Sequence, residues 1–217
     1  MLRLVAIAVL ACSIGACAPE RQQCVRDFND DGIFLYQQGE YGHARESFEA
    51  ALAQRPNDPN LLYNIGECRV RTGQLAAAEQ VFQECLRVAP DHVECRHALA
   101  SLLYDQGRRE DAIRMIAEWT RHNPRLSSPY VEDAYLWHRY GDLPEAVKQL
   151  QAALVLNSRD PYALAELGRV YDDLNLTDQA VEMYRRSLVF RPHQPDVEQR
   201  LAALRAQKAT APTPPEP

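Results

Sequence analysis

Lysine is almost missing from this sequence: Lys148 and Lys208 stand alone among arginines scattered along a chain of formal net charge −6. Scattered arginines on an acidic chain leave no electrostatic footprint for a polyanion, which excludes nucleic acid as an expected partner. Catalytic signatures are missing as well. There is no G-x-S-x-G, no G-x-G-x-x-G, no phosphate loop and no H-E-x-x-H, so neither an enzyme, a cofactor nor a small-molecule substrate is expected. Long apolar runs are scarce. Leu4 to Leu10 is unbroken but far short of the roughly 20 apolar residues a mature membrane-spanning helix needs.

What is present starts with that run. Arg3 supplies a positive charge ahead of it, and Ile14-Gly15-Ala16-Cys17 follows, which resembles the bacterial lipobox: a branched aliphatic residue, two small residues, then the cysteine that becomes lipidated. Small side chains fit a narrow peptidase cleft, and the thiolate is the nucleophile that accepts the lipid. Cys12 fits less well, because a bulky Leu10 stands where a small side chain is needed. The resemblance implies a signal peptide over 1–16, lipidation at Cys17, and a linker over 17–24 tying the chain to a membrane. Ala18 rather than aspartate after the cysteine implies the periplasmic face of the outer membrane. An ordinary signal peptide cut after Ala16 stays open, and would give a secreted, soluble protein.

From Val25 onward one register of 34 residues fits the chain, with blocks 25–58, 59–92, 93–126, 127–160 and 161–194. Position 20 is always alanine: Ala44, Ala78, Ala112, Ala146 and Ala180. Position 8 is small (Gly32, Gly66, Ala100, Ala134, Gly168) and position 24 bulky (Phe48, Phe82, Ile116, Leu150, Tyr184). Small residues at positions 8 and 20 let two antiparallel helices approach, and the bulky side chain fills the space beside them. Gly39, Gly73, Gly107, Gly141 and Asn175 at position 15 suit the left-handed turn that ends a first helix. Proline at position 32 in four blocks, replaced by Ser158 in the fourth, ends the second helix. Each block therefore reads as a helical hairpin.

On these residues the chain resembles the tetratricopeptide repeat family, and block five carries the motif almost whole: Leu164, Leu167-Gly168, Tyr171, Ala180, Tyr184 and Pro192. Departures are local, at Asp31, Arg69, Arg96, Asp133 and Ser158. The resemblance implies an all-α, right-handed α-solenoid of five hairpins. Val197, Leu201 and Leu204 fall on one face of a capping helix over 195–208, and 209–217, rich in proline, is expected as a disordered tail.

In the family, positions 2, 5, 9 and 12 face the concave groove. Here they are Arg26, Asn29, Ile33 and Tyr36; Asn60, Tyr63, Glu67 and Val70; Glu94, His97, Ser101 and Tyr104; Ser128, Val131, Tyr135 and His138; and Tyr162, Ala165, Arg169 and Asp172. The resemblance implies a protein or peptide ligand there. Amphipathic aromatics give large contact area at modest entropic cost. Neither the residues of a carboxylate clamp (Asn29 and Ile33 stand at the two clamp positions of block one) nor an asparagine ladder is present. In plan the chain resembles repeat lipoproteins that assemble pilus secretins, outer-membrane barrels or murein machinery, and a regulatory subunit of an envelope enzyme is the alternative.

Cysteine leaves one question open. Cys85 at position 27 and Cys95 at position 3 of the next block lie across one turn, which favours a Cys85–Cys95 disulfide in an exported protein. Free buried thiols, or a bridge to Cys68, are the alternatives. His92, Cys95 and His97 lack the spacing of a metal site, so no metal is expected.

Overall fold

The structure, a computed structural model, describes residues 18–210. The expected signal segment, Cys17 and the tail beyond Thr210 lie outside the described residues. Among the described residues there are eleven α-helices and no strand: α1 (Ala18–Gln37), α2 (Tyr41–Gln54), α3 (Pro59–Arg71), α4 (Leu75–Val88), α5 (Val93–Asp105), α6 (Arg109–His122), α7 (Ser128–Tyr140), α8 (Leu143–Leu156), α9 (Pro161–Asp173), α10 (Thr177–Phe190) and α11 (Pro195–Thr210). They form two compact units, one ending at Gly107 and one starting at Arg108. The boundary falls inside the third block. In the first unit each of α1 to α4 packs on its successor, and in the second each of α6 to α10 does the same, with α7 also touching α9.

The steric code of the hairpin is sharper than sequence alone indicates. A Cβ on Gly66 would lie 2.3 Å from the Phe82 ring, and Cβ atoms on Gly32 and Gly168 would lie 2.6 Å from Phe48 and Tyr184. Position 8 is thus capped by the side chain at position 24, not merely placed across from position 20. Where position 24 is aromatic, position 8 is glycine; where it is Ile116 or Leu150, position 8 is alanine. Ala134 and Leu150 share one fully buried cluster with Ala146 and Ala153. Bulk given up at position 24 is carried at position 8.

Local signals fix the helix ends. Gly73 has φ 75° and Asn175 φ 59°, which explains why asparagine can stand at position 15 in block five. The Gln74 and Leu176 amides each donate back to a first-helix carbonyl, of Arg69 and Tyr171, at 2.8 Å. Asp58 caps α3 by accepting from the Asn60 amide at 3.0 Å, and Asp160 caps α9 by accepting from Tyr162 and Ala163 at 3.0 and 3.2 Å. His92 holds the same place before α5, its Nδ1 accepting from the Cys95 amide at 3.2 Å.

Two expected boundaries are corrected. Residues 18–24 are not a linker but the start of α1. Pro19 in the first turn gives up no hydrogen bond. At the other end α11 runs through Thr210, two residues past the expected cap. Val197, Leu201 and Leu204 are buried against Ala165, Ala180 and Tyr184, covering the last hairpin. The departures from the repeat pattern are absorbed locally: buried Arg96 donates to the Pro90 carbonyl, and Arg69 to Glu49 at 3.4 Å.

Candidate functional site

Two faces carry the side chains expected to meet a ligand, one in each unit. In the first, Arg71 at the end of α3 ties three helices together. Its guanidinium lies 4.5 Å from the centre of the Tyr41 ring and 5.9 Å from that of Tyr36, donates to the Tyr41 hydroxyl, and stands beside a T-shaped Tyr36–Tyr41 pair with centroids 5.1 Å apart. Burial and the Glu67 carboxylate raise the Tyr63 phenol to about 12, so it stays a neutral donor. Glu67 is itself raised by burial, against the pull of His97 and Arg71. Tyr63, Glu67, Val70, His97, Ser101, Tyr104, Asn29 and Tyr36 are half-buried, whereas Arg26, Ile33, Asn60 and Glu94 are exposed. Asn60 leaves the face to accept from His92 Nε2 at 3.2 Å.

In the second unit a cleft of about 300 Å³ opens among His138, Arg169, Asp172, Asp173, Tyr184, Asp196, Val197 and Arg200. His138 of α7 bridges two carboxylates of α9, Nδ1 to Glu166 and Nε2 to Asp173, each at 2.7 Å. Both nitrogens face carboxylate oxygens, an arrangement that favours the imidazolium form; the Glu166 hydrogen bond raises its pKa most, against burial, with Asp173 adding to the rise. Burial alone would raise Glu166, but hydrogen bonds from His138 and from Arg169, the latter at 2.7 Å, hold it below its ordinary value. Arg200 of α11 donates to Asp172. One level away, burial pushes the Asp133 carboxyl up to about 6 despite a hydrogen bond with Trp137.

The expected groove residues do not all belong together. Val131 is a correction: it is buried in the core with Ala163 and Leu167, because position 5 points at the first helix of the next block. Ala165 is buried for the same reason, under Val197 of α11. Tyr162 is 55% exposed and lies under Arg191, 4.8 Å from its ring centroid, away from the cleft. Ser128 and Tyr135 are half-buried. Sequence reading misses Glu166 and Asp173, which sit at other repeat positions, and Asp196 and Arg200, which lie beyond the last repeat; they enter the cleft only through packing of α7, α9 and α11.

A disulfide joins Cys85 of α4 to Cys95 of α5, with Cα atoms 6.5 Å apart. Cys68 is a free, fully buried thiol pushed up to about 11, chiefly by burial. His92 and the two bridged sulfurs lie within 4.8 Å of one another, but the bridge occupies both sulfurs and leaves no thiolate for a metal.

A family model described as tetratricopeptide repeat matches residues 32–92 and 139–195, and a second of the same description matches 72–134. The chain is 28% identical over 160 residues to human Protein O-mannosyl-transferase TMTC1, covering 72% of this chain and 18% of that one. It is 24% identical over 145 residues to TPR repeat-containing protein YpiA of Bacillus subtilis, covering 67% and 34%. It therefore spans only about a fifth to a third of the length of these relatives. Among solved structures, TTC0263, a thermophilic TPR protein of Thermus thermophilus, superposes with TM-score 0.64 at 24% identity, over 84% of this chain and 99% of that one. The APC/C hetero-tetramer Cut9-Hcn1 gives TM-score 0.57 at 16% identity, over 85% and 37%. These likenesses concern the fold alone. With its hairpins, turn residues and matched segments in agreement, the chain belongs to the tetratricopeptide repeat family, an all-α solenoid class whose members in general mediate contacts between proteins.

Proposed function

We propose that this protein is a non-catalytic adaptor, lipid-anchored through Cys17, that holds protein or peptide segments against the first-helix faces of its repeats and supports assembly of cell-envelope complexes. The observation that carries the binding role is the pre-organised cleft of the second unit. His138, Glu166, Asp173 and Arg169 are fixed by mutual hydrogen bonds of 2.7 Å, so a ligand meeting them orders few side chains on arrival. The half-buried Tyr63 and Tyr104 offer the amphipathic contact area of the first unit. Export is supported by the lipobox-like Ile14-Gly15-Ala16-Cys17 and by the Cys85–Cys95 disulfide, a bond that persists in oxidising compartments. TMTC1 is by name a transferase, but the chain covers 18% of it and takes no activity from that likeness. Crosslinking and pull-down from envelope extracts should recover a partner set with the wild-type chain. That set should shrink with a Tyr63→Ala, Tyr104→Ala, Tyr135→Ala variant; an unchanged set would sink the proposal.

A further inference from the structure

The ends of α8 and α10 are apolar where the other second helices are not. At positions 29 and 30 stand Val155-Leu156 and Val189-Phe190, against Ala53-Gln54, Arg87-Val88 and Arg121-His122 in the first three blocks. Val155 is 85% exposed and Val189 66%, with Leu156 and Phe190 at 42% each. The two ends are neighbours. Arg186 of α10 donates to the Ser158 carbonyl at 3.3 Å, and the Arg159 guanidinium lies 6.0 Å from the centre of the Phe190 ring. Single exposed aliphatics are ordinary, but a cluster repeated in consecutive blocks calls for a function.

Charge narrows the choice of occupant. Arg159, Arg186 and Arg191 rim the cluster on a chain whose net charge is −6. Of the adjoining acids, Asp160 is buried, capping α9 and accepting from Ser127 at 2.6 Å, and Glu182 pairs with Arg185 and draws on Arg186, which leaves the charge of the rim to Arg159 and Arg191. Guanidinium groups form planar, two-pronged hydrogen bonds with phosphate. Shape narrows it further. A valine 85% exposed has no walls beside it, so the edge projects and cannot grip a helix as a groove does. Projecting aliphatic and aromatic side chains ringed by arginine match the boundary between headgroups and acyl chains. Among the described residues no helix is long and apolar enough to cross a membrane.

We propose that this edge of the second unit is a docking surface for the anionic headgroup layer of a lipid bilayer. It does not rest on lipidation of Cys17, and it would orient the second unit whether or not the chain is tethered. The test is hydrogen–deuterium exchange of the full chain with vesicles of phosphatidylcholine alone or mixed with phosphatidylglycerol, read locally over 151–162 and 185–194. Binding through the N-terminal segment does not report there. Exchange in both segments should slow with the anionic vesicles only. A Val155→Ser, Val189→Ser variant should abolish the slowing, and Arg159→Gln and Arg191→Gln should each weaken vesicle partition about five-fold at low salt. No slowing, equal slowing on both vesicle types, or slowing unchanged in these surface variants would overturn the proposal. So would slowing by an acidic amphipathic peptide of leucine and glutamate but not by vesicles.

Discussion

Replacing Gly66 by alanine should destabilise the first unit, although alanine is the better helix former. In open space the exchange in a helix interior is worth about 1 kcal/mol in favour of alanine. Here the new Cβ would meet three ring atoms of Phe82 at 2.3, 2.7 and 2.7 Å. Phe82 is fully buried, so the ring cannot swing out, and overpacking of this kind costs about 1–3 kcal/mol. With contacts this short the upper part of that range applies. The net loss is about 1–2 kcal/mol, or roughly 2–8 °C in Tm for a chain of this size. Gly42 provides the control: it lies in α2, and a Cβ added there would meet nothing within 4 Å, so Gly42→Ala should be neutral or stabilising by a few tenths of a kcal/mol. Thermal and urea unfolding of both variants reads the contrast. A Phe82→Leu background should relieve Gly66→Ala, since Ala134 beside Leu150 is the pairing block four already uses. Gly66→Ala at or above wild-type stability, or no coupling to Phe82→Leu, would refute the steric reading.

Other expectations follow from single groups. Asp133 is raised from 3.8 to about 6, so its contribution to stability is intact below 3.8 and lost as pH rises through about 6. Asp133→Asn should gain about 1–2 kcal/mol at pH 8, allowing for its partial exposure, and nothing at pH 3.5. His138 is raised above 6.5, so its stabilisation is full below 6.5 and fades as pH rises through the elevated folded value; His138→Asn should remove that slope from a pH series of urea midpoints. Cys85→Ser isolates the bridge, because Ser187 at the same repeat position donates to the Pro161 carbonyl at 2.7 Å and Pro59 stands in the corresponding place. The loss should be about 2–3 kcal/mol for so short a loop, matched by reductant acting on the wild type and absent when reductant is added to the variant.

Periodicity carried most of the fold. Position 15 needs a left-handed residue, and Gly73 and Asn175 show it; position 8 needs a small one, and Gly66 beneath Phe82 shows why. Such requirements are local or recur every block, so they are legible in one sequence. The cleft is different. His138 sits at position 12 of block four, while Glu166 and Asp173 sit at positions 6 and 13 of block five, and only the packing of α7 on α9 brings them to 2.7 Å. Val131 falls on the groove by its repeat position, but how far the next first helix covers that position depends on Ala163 and Leu167 across the interface. The early start of α1 escapes the repeat register, which begins at Val25, whereas Pro19 is a helix-start signal that the period does not contain.

Site-specific photocrosslinking most directly tests whether the first-helix faces receive a partner. A photoreactive phenylalanine derivative would be placed at position 63 or 135, on first helices, and at position 83 or 151, exposed on second helices. Irradiation of cells should yield protein adducts from 63 and 135 and none from 83 and 151. Adducts from the second-helix positions alone, or none from 63 and 135, would contradict the account.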